Sequence, residues 1–176
     1  EHVGDPLLIL EHGFRVKRFP VCGAAHRSMD ALLMLKEAHG FDADDVEKIV
    51  IQLPKVHLNN LMHHNPQSPM EAKFSLQYAL ACVLHTGNCT LSDFTSDAVM
   101  RPEIHALFDR FVPDPIDKLE GEVTTTVNVH LTSGTVLSEG LDMPLGSIAA
   151  PFTDEEYWAK FDGCVDGLLT SSQCGP

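Results

Sequence analysis

The sequence predicts an α+β fold: a mainly antiparallel sheet packed with helices, in a single domain over 1–176. Three observations carry this. The stretch "EVTTTVNVHLTSGTVLSEGLDM" alternates apolar and polar residues around Ser133-Gly134, as a hairpin does. The stretch "MEAKFSLQYALACVLHTG" (70–87) carries apolar residues at helical spacing and ends at a glycine. "TDEEYWAKFDGCVDGLL" opens with Thr153 three residues before Glu156, a capping box. Helices and strands alternate irregularly along the chain, which is the α+β pattern.

In chain order, "PLLILEH" (6–12) reads as the end of a helix stopped by Gly13. "FRVKRF" (14–19) alternates apolar and basic residues like a half-buried strand, ended by Pro20. A helical pattern runs from about Cys22 to His39 and closes at Gly40. "DADDVEKIVIQL" gives a turn and a strand over 46–53, ended by Pro54. Residues 55–69 hold Asn, His and two prolines and read as a long loop, of the kind that is functional or mobile. The helix over 70–86 follows, then two short helices split near Arg101-Pro102, the hairpin, and the last helix. No repeat or low-complexity linker interrupts this order.

Composition narrows the function classes. The 176 residues are 44% hydrophobic and carry a net charge of −13, from 12 basic and 25 acidic side chains. That balance opposes nucleic-acid binding, which needs a basic face, and binding to an anionic membrane surface. No apolar run has the length of a membrane span. An acidic ligand can be held only by a local basic pocket. Of the five cysteines no two stand in CxxC spacing, so a reducing, cytoplasmic setting is expected rather than a disulfide framework. The chain starts at Glu1 rather than Met, as a processed product or a piece of a longer protein would.

Three groups of residues can do chemistry. In "KRFPVCGAAHRSMDA", Lys17 stands on the predicted strand, and Cys22 and His26 stand four apart at the start of the predicted helix. A helix start offers unpaired N–H groups and partial positive charge, worth roughly 0.3–2 kcal/mol to a carboxylate. With Lys17 and His26 it makes an anion pocket with one group able to move protons near neutral pH. The competing view has Cys22 packed as a small hydrophobe, His26 half-buried and Lys17 solvated. A Cys22/His26 metal pair lacks a third ligand, and no metal set is expected. In "EAKFSLQY", Glu71 and Lys73 open the predicted helix, while Phe74 and Tyr78 fall opposite the stripe of Ala72, Leu76, Ala79, Leu80 and Val83. Tyr78 can donate a proton or hold a carboxylate in a cleft, or belong to a second layer of core. In "HLNNLMHHNPQSP", His57, His63 and His64 can line a lid or stand solvated in the loop.

These same stretches, "KRFPVCGAAHRSMDALLML" and "EAKFSLQYALACVL", together with "LSDFT", "RPEIHALFDR", the valine-rich hairpin, "PLGS" and a late "KF", resemble the MmgE/PrpD family in order from about Phe14 to Cys164. The resemblance is to the smaller, carboxy-terminal α+β domain of two-domain proteins. It implies cofactor-independent chemistry on small di- and tricarboxylates, at a site shared with a large helical amino-terminal domain. Family activities include 2-methylcitrate dehydratase, cis-aconitate decarboxylase and iminodisuccinate epimerase.

By that resemblance Lys17 and Tyr78 match active-site positions, and His26 and Lys73 match residues of the family motifs; His26 joins Lys17 and Tyr78 as the expected catalytic residues, and Cys22, Lys73 and, from the long loop, His63 are the expected substrate-binding residues. Cys22 stands where the decarboxylase branch carries a histidine, so a 2-methylcitrate dehydratase-like lyase is the expectation. The alternatives are a decarboxylase or epimerase on the same scaffold, or a non-catalytic module that assembles with a separate helical partner. The expected partners are a polycarboxylate substrate, the helical domain or partner chain, and a second copy in a homodimer.

Overall fold

The computed structural model describes residues 4–5, 7–118 and 123–169. Pro6 and Glu122, each predicted to open an element, lie outside the described residues, as do His2 and Cys174. The contacts group into two compact units, one of 19–142 and one of 1–18 with 143–176. In chain order the elements are α1 (Leu8–His12), α2 (His26–His39), β1 (Val46–Pro54), α3 (Lys55–Asn60), α4 (Pro69–Ala72) and α5 (Leu76–Thr86). Then come α6 (Ser96–Val99), α7 (Pro102–His105), β2 (Phe111–Ile116), β3 (Thr125–Leu131), β4 (Val136–Leu141) and α8 (Asp154–Val165).

The 19–142 unit is the α+β body. Its four strands lie in the order β2-β1-β3-β4. Two pairings are antiparallel and one, β1 with β2, is parallel, so the sheet is mixed with antiparallel pairing dominant. Alternation does the work here. Ile49, Ile51 and Leu53 of β1 and Val127 and Val129 of β3 turn to one face and are buried. Ile49 faces Val129 and Ile51 faces Val127 across the ladder. Val50, Gln52, Asn128 and His130 turn to the other, partly exposed face. Helix α2 packs across β3 and β4, and α5 packs behind α2. Every residue of 75–84 is buried, so α5 is a core helix rather than a surface one.

Several predicted boundaries move. Residues 14–19, predicted as a strand, form none; Val16 makes one backbone bond to Gly146 (2.9 Å), and Lys17 is exposed there. Helix α2 starts at His26, after a 3₁₀ turn over Gly23–Ala25, so Cys22 lies before it rather than one turn along its face. Gly40 ends α2 in the left-handed conformation (φ 67°), as predicted. The loop over 55–69 contains α3. The helix predicted over 70–86 is two helices: Ser68 caps α4, Ser75 caps α5, and the chain bends between them. That break removes Phe74 from the helix carrying Tyr78. β2 went unread because it holds Pro113 and Pro115.

In the other unit, α8 begins at the Thr153–Glu156 capping box as predicted, and none of its residues is buried. Among the described residues no helix is long and apolar enough to cross a membrane.

Candidate functional site

The bend between α4 and α5 gathers residues from three parts of the chain. It has two consecutive outward carbonyls. That of Lys73 accepts the Cys22 N–H at 2.8 Å, and that of Phe74 accepts the His63 N–H at 3.3 Å. Met62 and Ser75 also form a bridge beside it. A kink of this kind arises because Ser75 turns its hydroxyl onto the Tyr78 N–H (3.1 Å) and restarts the helix, freeing the preceding carbonyls for partners elsewhere. Cys22, His63 and Lys73 are each partly exposed, and Phe74 beside them is 39% exposed. The Lys73 ammonium stands 5.9 Å from the centre of the Phe94 ring. The three predicted substrate-binding residues are therefore linked through main-chain bonds at one partly exposed bend, where Lys73 supplies an ammonium.

The three predicted catalytic residues stand in different settings. His26 opens α2 and is buried, its ring edge-on to Phe19 at 5.5 Å. Its neighbour Arg27 donates to the Val123 and Asp142 carbonyls at 2.9 and 3.1 Å, which fastens the start of α2 to the ends of the β3–β4 hairpin. Lys17 belongs to the unit of 1–18 and 143–176 and is exposed. Tyr78 is fully buried. Its hydroxyl donates to the Asp93 carbonyl and lies 3.3 Å from that of Ala98. Burial, with Cys82 alongside, pushes its phenol well above the ordinary tyrosine range. At neutral pH Tyr78 is thus a fixed hydrogen-bond donor. Its ring meets Phe94 edge-on at 5.6 Å, and through that ring it supports the Lys73 side of the bend.

Around Tyr78 lies a polar cluster that the sequence reading missed. Arg101 donates through Nη2 to Asp93 Oδ1 (2.7 Å) and through Nε to the Ala98 carbonyl (2.9 Å). Asp93 Oδ2 accepts the Thr90 N–H (2.7 Å), closing a capping box. Cys82 and Cys89 complete the group. The available signals were Thr90-x-x-Asp93 and the placement of Cys82 one helical turn after Tyr78.

Comparison with known proteins adds three findings. The model of the MmgE/PrpD C-terminal domain matches residues 19–174. A cis-aconitate decarboxylase of Mus musculus is 31% identical over 166 residues, covering 87% of this chain and 33% of that protein. A cis-aconitate decarboxylase of Aspergillus terreus is 21% identical over 173 residues, covering 90% of this chain and 35% of that protein. The chain thus spans about a third of the length of these curated relatives.

Proposed function

The chain belongs to the MmgE/PrpD family, and from that membership we propose that it forms the carboxylate-binding part of a lyase acting on small di- or tricarboxylates. The observation that carries this reading is the bend itself: Cys22, His63 and Lys73 meet there, tied by the Lys73 and Phe74 carbonyls.

The chemistry sets the requirement. Loss of carbon dioxide from an unsaturated tricarboxylate leaves an electron pair on a carbon beside a retained carboxylate. Loss of water starts by removing a proton from such a carbon. In both, negative charge grows next to an existing anion, and fixed cations and donors lower its cost. Lys73, and Lys17 in its own unit, are the ammonium groups assigned to that task. His26 is assigned to proton transfer. Tyr78 is assigned a positioning role, because its phenol is committed to main-chain carbonyls. The greater length of the relatives supports placing the main base on a helical portion outside these residues, on the same polypeptide or on a partner, in a cytoplasmic homodimer.

Between reactions, both named relatives favour decarboxylation of a cis-aconitate-like substrate. Cys22 favours the second reading, dehydration of a 2-methylcitrate-like substrate, because the decarboxylase branch that the sequence resembles carries histidine there. The test incubates the full-length protein with cis-aconitate and, separately, with 2-methylcitrate, following products by NMR and released carbon dioxide. Turnover of either supports a lyase and selects the reaction. No turnover of either, or proton exchange in D₂O without net reaction, rejects it. Lys17→Ala should then lower turnover by roughly a hundredfold or more. Lys73→Ala should raise KM about ten- to a hundredfold, the loss of one charge-assisted contact. Unchanged kinetics in both variants would remove the bend and Lys17 from the mechanism.

A further inference from the structure

Cys82, Cys89 and Asp93 have no part in the role assigned to the bend. Yet one sulfur from each cysteine and one Asp93 carboxylate oxygen all lie within 4.8 Å of one another. Cys82 is on α5, Cys89 follows its terminal Gly87, and Asp93 is in the 3₁₀ turn over Leu91–Phe94. The three are 0%, 2% and 7% exposed. A tetrahedral zinc with sulfurs at about 2.3 Å holds them about 3.8 Å apart, whereas a disulfide brings them to about 2.05 Å. The 4.8 Å limit accommodates the spacing of a chelating set.

We propose that Cys82 Sγ, Cys89 Sγ and one Asp93 oxygen form a structural site for a thiophilic divalent cation of the zinc class.

The charge balance permits it in the interior. Empty, the cluster holds two neutral thiols and one carboxylate paired with the Arg101 guanidinium, and sums to zero. On binding, each thiol gives its proton to solvent (M²⁺ + 2 RSH → M(SR)₂ + 2 H⁺). Two thiolates and the carboxylate then face the cation and Arg101, and the sum is again zero. Neither state buries a net charge, which is the condition a buried ionic group must meet. The outer contacts are those a metal carboxylate needs. Arg101 on Oδ1 at 2.7 Å and the Thr90 N–H on Oδ2 at 2.7 Å orient Asp93. The Thr90 hydroxyl also donates to Oδ2 at 3.2 Å, and a carboxylate has about four lone-pair sites, so one remains for a cation. In the empty cluster the Cys82 thiol and burial push the Cys89 thiol upward, so its proton is one that an entering cation must displace. Occupied, the site ties the end of α5 to the turn before α6 and, through Arg101, to the start of α7.

The test titrates the full-length, reduced protein with Cd²⁺, then with Zn²⁺ as competitor. Support is a thiolate-to-metal charge-transfer band saturating at one ion per chain, with two protons released per ion. Cys82→Ser and Cys89→Ser should each weaken binding by at least about a hundredfold, since losing even an outer contact to a metal ligand costs roughly ten- to a hundredfold. Cys164→Ser, at an exposed thiol on α8, should leave the band in place. The proposal is overturned by an absent band, by a band that survives both variants or vanishes with Cys164→Ser, or by a Cys82–Cys89 disulfide in the protein isolated without reductant. If either variant fails to fold, cadmium-113 NMR of the unsubstituted protein decides. A resonance typical of two sulfurs with oxygen supports the site, and one typical of oxygen or nitrogen alone overturns it.

Discussion

Tyr78 concentrates the physical chemistry of the cluster in one side chain. A tyrosine buried in an apolar helix costs free energy unless its hydroxyl finds an acceptor, and here main-chain carbonyls of Asp93 and Ala98 supply it. Tyr78→Phe should lower stability by about 1–3 kcal/mol in urea unfolding, because the Asp93 carbonyl loses its tyrosine donor while that of Ala98 keeps Arg101. The raised phenol also makes stability pH-dependent. A group whose folded pKa stands above its unfolded value of 10.0 contributes fully below that pH and loses its contribution as the pH rises toward the folded value. The Cys89 thiol acts with the same sign above its ordinary 9.0. The protein should therefore lose stability steeply on the alkaline side, and Tyr78→Phe should make that limb shallower. An equally steep limb in the variant would refute the assignment. Arg101→Ala, which strips Asp93 of its partner at 10% side-chain exposure, should cost about 1.5–3 kcal/mol.

At the scale of elements, local chemistry sets most ends and long-range pairing sets the exceptions. Ser75 and Thr153 each accept the N–H three residues on, from Tyr78 and from Glu156. Replacing either with Ala should cost about 1 kcal/mol. The two variants separate the units. Ser75→Ala should also disturb the bend, read as a raised KM, while Thr153→Ala should lower only the helicity of α8. The short strand β2 shows why a sequence reading can pass over a strand. Its prolines at 113 and 115 would break a central ladder, but they share one parity. Alternate residues of an edge strand turn their N–H away from the neighbour, so β2 still pairs with β1 from Phe111 to Ile116. In the other unit, Gly146 has φ 83°, and a Cβ there would strike the Val16 carbonyl oxygen and come within 2.8 Å of the Phe152 ring. Gly146→Ala should destabilise that unit by about 2 kcal/mol or more, seen as an early transition in denaturant.

For the whole molecule, burial predicts where stability is highest. Amides of β1, β3 and α5 sit in the core of the 19–142 unit and should exchange hydrogen most slowly. Those of α8, with no buried residue, should exchange first. Uniform protection across both units would contradict this gradient. The charge of −13 acts at the same scale: under the proposed reading, an anionic substrate would depend on the few local cations, Lys73 among them.

By itself the sequence determined what neighbours within a few residues can encode. Gly40 and Gly87 end helices, Thr153 starts one, alternation marks β1 and the hairpin, and the order of motifs marks the family. It could not resolve the break at 73–75, because "EAKFSLQY" keeps a helical period straight through it. Tertiary structure decided that break, the parallel β2, the meeting of Cys22, His63 and Lys73, and the clustering of Cys82, Cys89 and Asp93. The reason is physical. Caps and periodicity act along the chain over about one turn. Which polar groups share a space is settled only when distant carbonyls, thiols and carboxylates must find partners in one common interior.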